Sequence, residues 1–507
     1  MVMAPFIEHY ADQISGTLSC FDRIVIRGTL PGFSYSEGMT RYLNVNHIRI
    51  FDYPMFTNPL RTDLRDNADQ IAKENGLKIE YIKKKNFRKE SRIKKILETR
   101  SNQPGLVHIF SAMEPCQTYN PWHDKETHRT YLKPSTGKCI HYYFYFIDEE
   151  LGLCYVRVPT WCPFQLQMYF NGHNLLANQL KENGIDYKML ENAFVDIEDF
   201  DKAQELVNNF RVETLHRKLD SFAKQYCPFI KQFNMSYRWS IMQAEYATDI
   251  IFKRQKDLKI IYENLTRTAI HTVKPKHIAT FLGRKLHGNY QDEMGNDYST
   301  RIEGTRIKHS MGKVSIKMYD KFSQVLRIET TVNDVSLFKH YRMVEHRDGT
   351  TSRKLASMKK GIYSLSILRE MVEKANQRYI EFISAIDDTS VGVNNLNIIS
   401  RTVVRDNRSY KGFNFFSDED LEMLEVLTSG EFNIRGFQNK NLQQMVKDKT
   451  GSQISRIIKR LRVHGLIKKI PSTYRYHLTK LGKYVITMGL KLKEIVIIPE
   501  LNFQTAA

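Results

Sequence analysis

The segment Ser315–Val332, SIKMYDKFSQVLRIETTV, gathers residue types that can do chemistry on a phosphodiester. It reads as two short strands joined by a polar turn. Strand side chains alternate between faces, so Ile316 and Met318 share one side, as do Leu326 and Ile328. Ser315, Lys317 and Tyr319 point the other way, with Arg327, Glu329 and Thr331. The preceding strand adds Arg306 and Lys308 to that polar face if Ile307 turns inward. Lys and Arg neutralise phosphate. Glu329 with Asp320 offers hard carboxylate oxygens to a divalent ion such as Mg2+ or Mn2+. Tyr319 is a nucleophile whose tyrosyl phosphodiester would conserve bond energy for rejoining. Tyr319, Asp320 and Glu329 are therefore the catalytic candidates, and Asp320 and Glu329 the metal candidates. The same residues have a plainer reading, in which Lys317, Glu329 and Arg327 form cross-strand ion pairs on a solvent face and no cofactor is involved. Further carboxylates on expected strands or helices are Asp22, Glu114, Asp148, Glu245 and Asp249. Glu245 and Asp249, four apart, would share a helix face and either hold a metal together or line a polar surface.

The elements that must position these residues read as a multidomain α+β chain. Its 507 residues suggest about three domains at roughly 100–200 residues each. Residues 1–198 alternate strand-like and helix-like stretches: strands at Arg23–Leu30, Leu77–Ile82 and Gly105–Met113, and helices at Asn58–Asn75 and Phe87–Thr99. That order predicts an α/β domain with part of its sheet parallel. A long hairpin follows at Cys139–Trp161 with its turn near Asp148–Gly152, then a helix over Phe164–Asn183 ended by Gly184. Residues 199–386 read as a mainly helical run to Tyr262, a polar loop at Asn289–Thr300, three antiparallel strands, and a helix from Ser364 to Ile386. Within the helical run, Met235–Lys253 places Trp239, Met242, Tyr246 and Ile250 on one face. Polar, Gly- and Asn-containing stretches make 387–414 a linker.

The C-terminal segment, 415–507, predicts three helices and a two-stranded wing. A helix starts after Ser417 with acidic residues in its first turn. A second buries Leu442, Met445 and Val446. A third buries Ile454, Ile457, Ile458 and Leu461, leaving Gln453, Arg456, Lys459 and Arg460 outward. LIKKI, the turn PST and YRYHLT then form a hairpin before a last helix near Thr479. This order, with the motif GLIKKIPSTYRYHLTKLG, resembles the winged helix-turn-helix family over Ser417–Lys493. The resemblance implies DNA binding, with the third helix in a major groove and Arg475 against phosphate. Ser429–Ile498 holds 15 Lys or Arg against 3 Asp or Glu, +12 of the chain's +20. A surface so basic attracts polyanions, DNA or structured RNA alike. A second basic stretch, Leu77–Arg100, has ten Lys or Arg against three acids; from it we single out Lys83, Lys84, Lys85, Arg88 and Lys94.

The central strands, through Tyr319, Lys321, Arg327 and Glu329, resemble the YxK…RxE strand pair of rolling-circle replication initiators. That resemblance implies a metal-dependent nickase, although the His-hydrophobe-His metal motif of those proteins is absent here. The whole chain resembles a widespread bacterial family of about this length, through FDRIVIRGTL, YDK…LRIETT and the C-terminal module; no activity comes with it.

Some classes are disfavoured. No GxxxxGK[ST] loop or GxSxG elbow is present. No apolar run is long enough to span a membrane, and the start has no secretory pattern. The six cysteines are scattered with no CxxC pair, which fits free thiols in a reducing cytoplasm; Cys116, His123, His128, Cys139 and His141 match no zinc spacing. The sequence thus predicts a cytoplasmic nucleic-acid-binding protein of mobile-element type. Within that class it is either a metal-dependent nickase or recombination or replication initiator, or a non-catalytic DNA-binding regulator or RNA-binding ribonucleoprotein component. A homodimer is left open.

Overall fold

β-Branched and aromatic residues in ISGTLSCFDRIVIRGT hold the backbone extended over Ile14–Thr29, which forms β1 near the middle of an eleven-stranded sheet. In the computed structural model, described residues run from 5 to 498, leaving out 85, 101–102, 234, 287–289, 291–292, 302–303, 385–395 and 447–448. The other strands of the sheet are β2 (Glu80–Tyr81), β3 (Gly105–Asp124), β4 (Arg129–Asp148), β5 (Gly152–Pro159) and β6 (Leu166–Phe170) on one side. A separate pair, β7 (Tyr187–Leu190) and β8 (Ala193–Ile197), comes next in the chain. β9 (Arg238–Phe252), β10 (Met294–Arg301), β11 (Gly304–Met311), β12 (Val314–Lys321) and β13 (Val325–Val332) complete the large sheet. Its spatial order is β10-β11-β12-β13-β9-β1-β6-β5-β4-β3-β2. Every pairing is antiparallel except β2 with β3. The parallel character expected of the N-terminal layer is therefore confined to one edge pair.

Residues 1–385 form one compact unit and 386–507 a second. The expected division at 198/199 falls inside the first unit, because β1 pairs along its whole length with β9. Helices Gln255–Thr272 and Leu365–Ser384 cover one face of β9 and β11–β13, burying Ile307, Ile316, Met318, Leu326 and Ile328 against Leu258, Leu265, Leu368, Val372 and Tyr379. Asn376 ties the second of these helices to the sheet by donating to the backbone carbonyls of Tyr246 (3.1 Å) and Ile328 (3.2 Å). On the opposite face, helix Lys89–Thr99 sets Ile93 over Tyr143, Tyr145 and Tyr155, and helix Gly172–Glu182 sets Leu176 and Leu180 over Leu18 and Cys20.

Several expectations are corrected. Met235–Lys253 is not a helix: Arg238–Phe252 is strand β9. Its spacing is ambiguous because positions four apart share a face in both structures. A register shift at Ile241–Gln243 also breaks the alternation that marks a half-exposed strand, and beyond Tyr246 the strand is largely buried on both sides. The helix expected over Phe164–Asn183 is β6 followed by a helix from Gly172 to Glu182. The stretch expected as loop includes β10, a polar edge strand with no buried alternation to announce it.

The second unit packs helices Asp418–Leu427, Gly430–Arg435, Asn439–Met445, Gly451–Val463 and Lys480–Leu492 around Leu424, Leu442, Ile454, Ile458, Leu461 and Ile486. A short hairpin, β16 (Val403–Arg405) with β17 (Arg408–Tyr410), lies in the expected linker. The basic hairpin is β18 (Ile467–Lys469) with β19 (Tyr476–Leu478), and Phe437 bridges to Tyr476 beside it. Met445, expected inside, is exposed.

Candidate carboxylate site and nucleic-acid interface

Strand parity places Lys317, Tyr319, Arg327 and Glu329 on one face, as expected. They are not a solvent face, since Arg327 is fully buried and Tyr319 and Glu329 are nearly so. Lys317 Nζ donates to Glu329 Oε1 at 2.7 Å and lies 3.5 Å from Glu245 Oε1. Tyr319 donates its hydroxyl hydrogen to Glu329 Oε2 at 2.7 Å. Arg327 donates from Nε and Nη2 to the two oxygens of Asp249, both at 2.6 Å, and from Nη2 to the Asn192 carbonyl at 2.7 Å. With those bonds made, Arg327 is a positioning cation for the site and not a free phosphate ligand, which corrects its expected role.

Asp320 does not join Glu329. It pairs in register with Leu326, on the face of Met318 and Ile328, whereas Glu329 pairs with Lys317 on the other. Its charge bears instead on Tyr262 of the helix Gln255–Thr272. The expected metal pair is therefore split by the sheet.

Glu329 meets two other carboxylates. Asp22 on β1, Glu245 on β9 and Glu329 on β13 come from adjacent strands, and one oxygen of each lies within 4.8 Å of the others. A register shift between Phe21 and Arg23 marks a bulge at Asp22, the device by which a strand re-aims one side chain. Asp22 is further held by Asn192 Nδ2 (2.8 Å) and Asn171 Nδ2 (3.3 Å), with His173 Nδ1 at 3.1 Å and Arg327 Nη1 at 3.4 Å from the same oxygen. Asn171 also caps the helix Gly172–Glu182 through the backbone N–H groups of His173 and Asn174. Gly172 makes this approach feasible: a Cβ there would stand 2.2 Å from the Phe21 carbonyl oxygen.

The electrostatics divide the acids. Burial works to raise the Asp22 and Asp249 carboxyls, but Arg327 and His173 outweigh it and hold both below the usual carboxylate range. Burial and the neighbouring Glu329 push Glu245 up, with Lys317 opposing. Burial and Glu329 raise the Tyr319 hydroxyl well above its ordinary value. Burial, helped by Arg327, lowers the Lys321 ammonium to about 8. Lys321 bonds Asn192, and Lys94 on the helix Lys89–Thr99 bonds Glu191 next to it at 3.0 Å. Lys94 of the basic N-terminal stretch is thus one residue removed from Asn192, which holds Asp22.

The donor set fits a hard divalent ion. Three carboxylates supply only oxygen, and a span of 4.8 Å matches opposite ligands of an ion bound at roughly 2.0–2.6 Å. The other acidic candidates are engaged elsewhere: Glu114 by Arg157 (2.7 Å) and Tyr143 (2.6 Å), and Asp148 by Lys218 (2.9 Å).

Of the remaining expected nucleic-acid contacts, Lys83, Lys84 and Arg88 are exposed, and Lys85 lies outside the described residues. Lys308 stands opposite Lys317 in register, and Arg306 pairs with Asp297 at 3.2 Å. In the second unit Arg456 and Lys459 are exposed on one helix. Gln453 closes that helix's capping box, its Oε1 accepting from Thr450 N at 2.7 Å. Arg460 is not outward: it bonds Asp420 at 2.7 and 2.9 Å, the carbonyls of Lys411 and Gly412, and lies 3.9 Å over the Phe413 ring. Arg475 donates to the Arg435 carbonyl at 3.0 Å.

No family model matches the chain, and no curated protein does. Among solved structures it is similar to the class II 3-hydroxy-3-methylglutaryl-CoA reductase from Streptococcus pneumoniae bound to NADPH in open conformations. That likeness has 9% identity and a TM-score of 0.21 over 90% of this chain and 81% of that one. A score so low transfers neither fold nor chemistry. Among the described residues no helix is long and apolar enough to cross a membrane.

Proposed function

We propose that this chain is a nucleic-acid-processing protein of mobile-element type, whose first unit cleaves a phosphodiester with a divalent metal and whose second unit is a winged-helix module that binds DNA. The observation that carries this reading is the convergence of Asp22, Glu245 and Glu329 beside Lys317, Tyr319 and Lys321. Mg2+ or Mn2+ on those oxygens would supply Lewis-acid polarisation of a phosphoryl oxygen. In this reading Tyr319 attacks phosphorus as its proton passes to Glu329, to which its hydroxyl already donates. The phosphorus–oxygen bond to the sugar breaks in that step, and Lys321, two residues along the same face, protonates the departing oxygen. For the second unit, support comes from the succession of helices, the hairpin of β18 and β19, and the exposed Arg456, Lys459, Lys468 and Lys469.

The test is incubation with supercoiled and single-stranded DNA in Mg2+ or Mn2+. Wild type should nick and form a covalent adduct. Glu329→Gln should abolish cleavage, and Tyr319→Phe should abolish the adduct. Cleavage that survives Tyr319→Phe would reassign the nucleophile to water.

A second reading has its own observation. Lys317 and Arg327 already neutralise these carboxylates, so the network can serve as a buried structural lattice in a non-catalytic DNA regulator or RNA-bound scaffold. Salt-sensitive nucleic-acid binding without cleavage in any metal would favour it.

A further inference from the structure

The chain beyond β13 builds a feature that neither the carboxylates nor the second unit uses. β14 (Lys339–Glu345) pairs with β15 (Thr351–Ser357) as a two-stranded ribbon outside the large sheet. Its base is fixed: Phe338 and Met358 are buried, Met358 N donates to the Phe338 carbonyl at 2.9 Å, and Ile241 N on β9 donates to the Lys360 carbonyl at 2.7 Å. Beyond that base the ribbon is uncovered along one face. Tyr341 and Leu355 are directly opposed there, at 67% and 54% exposure, with Met343 at 57% and Lys339 and Arg353 on the same side. Lys354 pairs with Arg342 on the other face, and the exposed Glu345 shares the face of Tyr341. Over residues 339–357 the ribbon carries five Lys or Arg against two acids. One of those acids, Asp348, is occupied in the turn with Thr350.

A face that leaves an aromatic and two large aliphatic side chains in water needs a partner. We propose that this ribbon is a contact for single-stranded nucleic acid, with a base stacked on Tyr341 and phosphates on Lys339 and Arg353. Two features select this occupant. Cations flank the apolar pair, the arrangement that tracks a phosphate backbone while the ring meets an unpaired base. The ribbon is also tied to the strands of the carboxylate site: β13 carries Glu329 and leads into it through residues 333–338, with a 3-10 turn at Val335–Leu337, and β9 carries Glu245 and anchors its base. A strand held on the ribbon is therefore tethered, through the ribbon's base, to two strands that carry the candidate chemistry. The inference rests on the nucleic-acid reading above and adds which form of nucleic acid is held, and where.

The experiment is fluorescence anisotropy of the full chain with a labelled single-stranded oligonucleotide and with a duplex of the same sequence, over a salt series. Tyr341→Ala should weaken single-strand binding about tenfold, and Tyr341→Phe should retain it. The combined change Lys339→Ala and Arg353→Ala should reduce the slope of log affinity against log salt by about 1.4. These side chains are exposed, so unchanged thermal midpoints confirm that the variants are folded. Wild-type binding of DNA with unchanged affinity and slope in both variants overturns the ribbon assignment alone. A variant effect confined to duplex overturns the single-strand assignment. Wild type that binds neither oligonucleotide overturns the ribbon and the nucleic-acid reading together. Binding of wild type, but not of the variants, to phosphatidylserine vesicles in place of DNA assigns the face to a membrane and overturns the proposal.

Discussion

A lysine ammonium 2.7 Å from Glu329 and 3.5 Å from Glu245 competes with any other cation for the same oxygens. Replacing it with an apolar residue of similar length should expose the carboxylates' charge. We expect Lys317→Met to tighten Mn2+ binding by about tenfold in titration calorimetry. An unchanged or weaker affinity would argue against a metal on these oxygens. Lys321 sets a second expectation. With its ammonium lowered to about 8, it is cationic below that pH and neutral above. Cleavage should slow severalfold as pH rises through about 8, and Lys321→Arg should slow it at every pH, since a guanidinium does not release its proton. Residue by residue, the sequence foretold the polar set on β12 and β13 because alternation on a strand is strict. Asp22 and Glu245 were visible as acids and still not joined to Glu329, because strand adjacency is a long-range fact that local spacing does not carry.

At the level of elements, β11 turns His309 into the core, where Nε2 meets the Tyr379 hydroxyl at 3.1 Å and Nδ1 meets Asn296 Oδ1 at 2.6 Å. Burial lowers its pKa to about 4. The unfolded chain takes up this proton near 6.5 and the folded one only near 4. Stability should therefore fall as pH drops from 6.5 towards 4, by about 3 kcal/mol from this group. The thermal midpoint of His309→Gln should show a correspondingly flatter pH dependence over that range. The first turn of the helix Gly172–Glu182 is equally specific. Gly172→Ala forces a methyl group against the Phe21 carbonyl and should cost about 1–3 kcal/mol in urea unfolding. Helices with one apolar stripe, such as Lys89–Thr99 and Gly451–Val463, were legible in the sequence. β9 was not, for its alternation breaks at Ile241–Gln243 and its apolar spacing suits a helix as well.

On the scale of the molecule, the multidomain α+β architecture was legible, and so was a separate C-terminal unit. The continuity of the sheet across the first unit was not. The pairing of β1 with β9 predicts that residues 1–198 alone leave β1 with an open edge and aggregate, whereas 1–385 stay monodisperse in size-exclusion chromatography. The same pairing orders events in time. Asp22 leaves the ribosome early, Glu245 much later and Glu329 last, so the three-carboxylate centre assembles only after most of the first unit has been translated. A chain terminated prematurely anywhere before Glu329 lacks the third carboxylate, so truncated products carry Asp22 and, at most, Glu245 without the acid that completes the cluster.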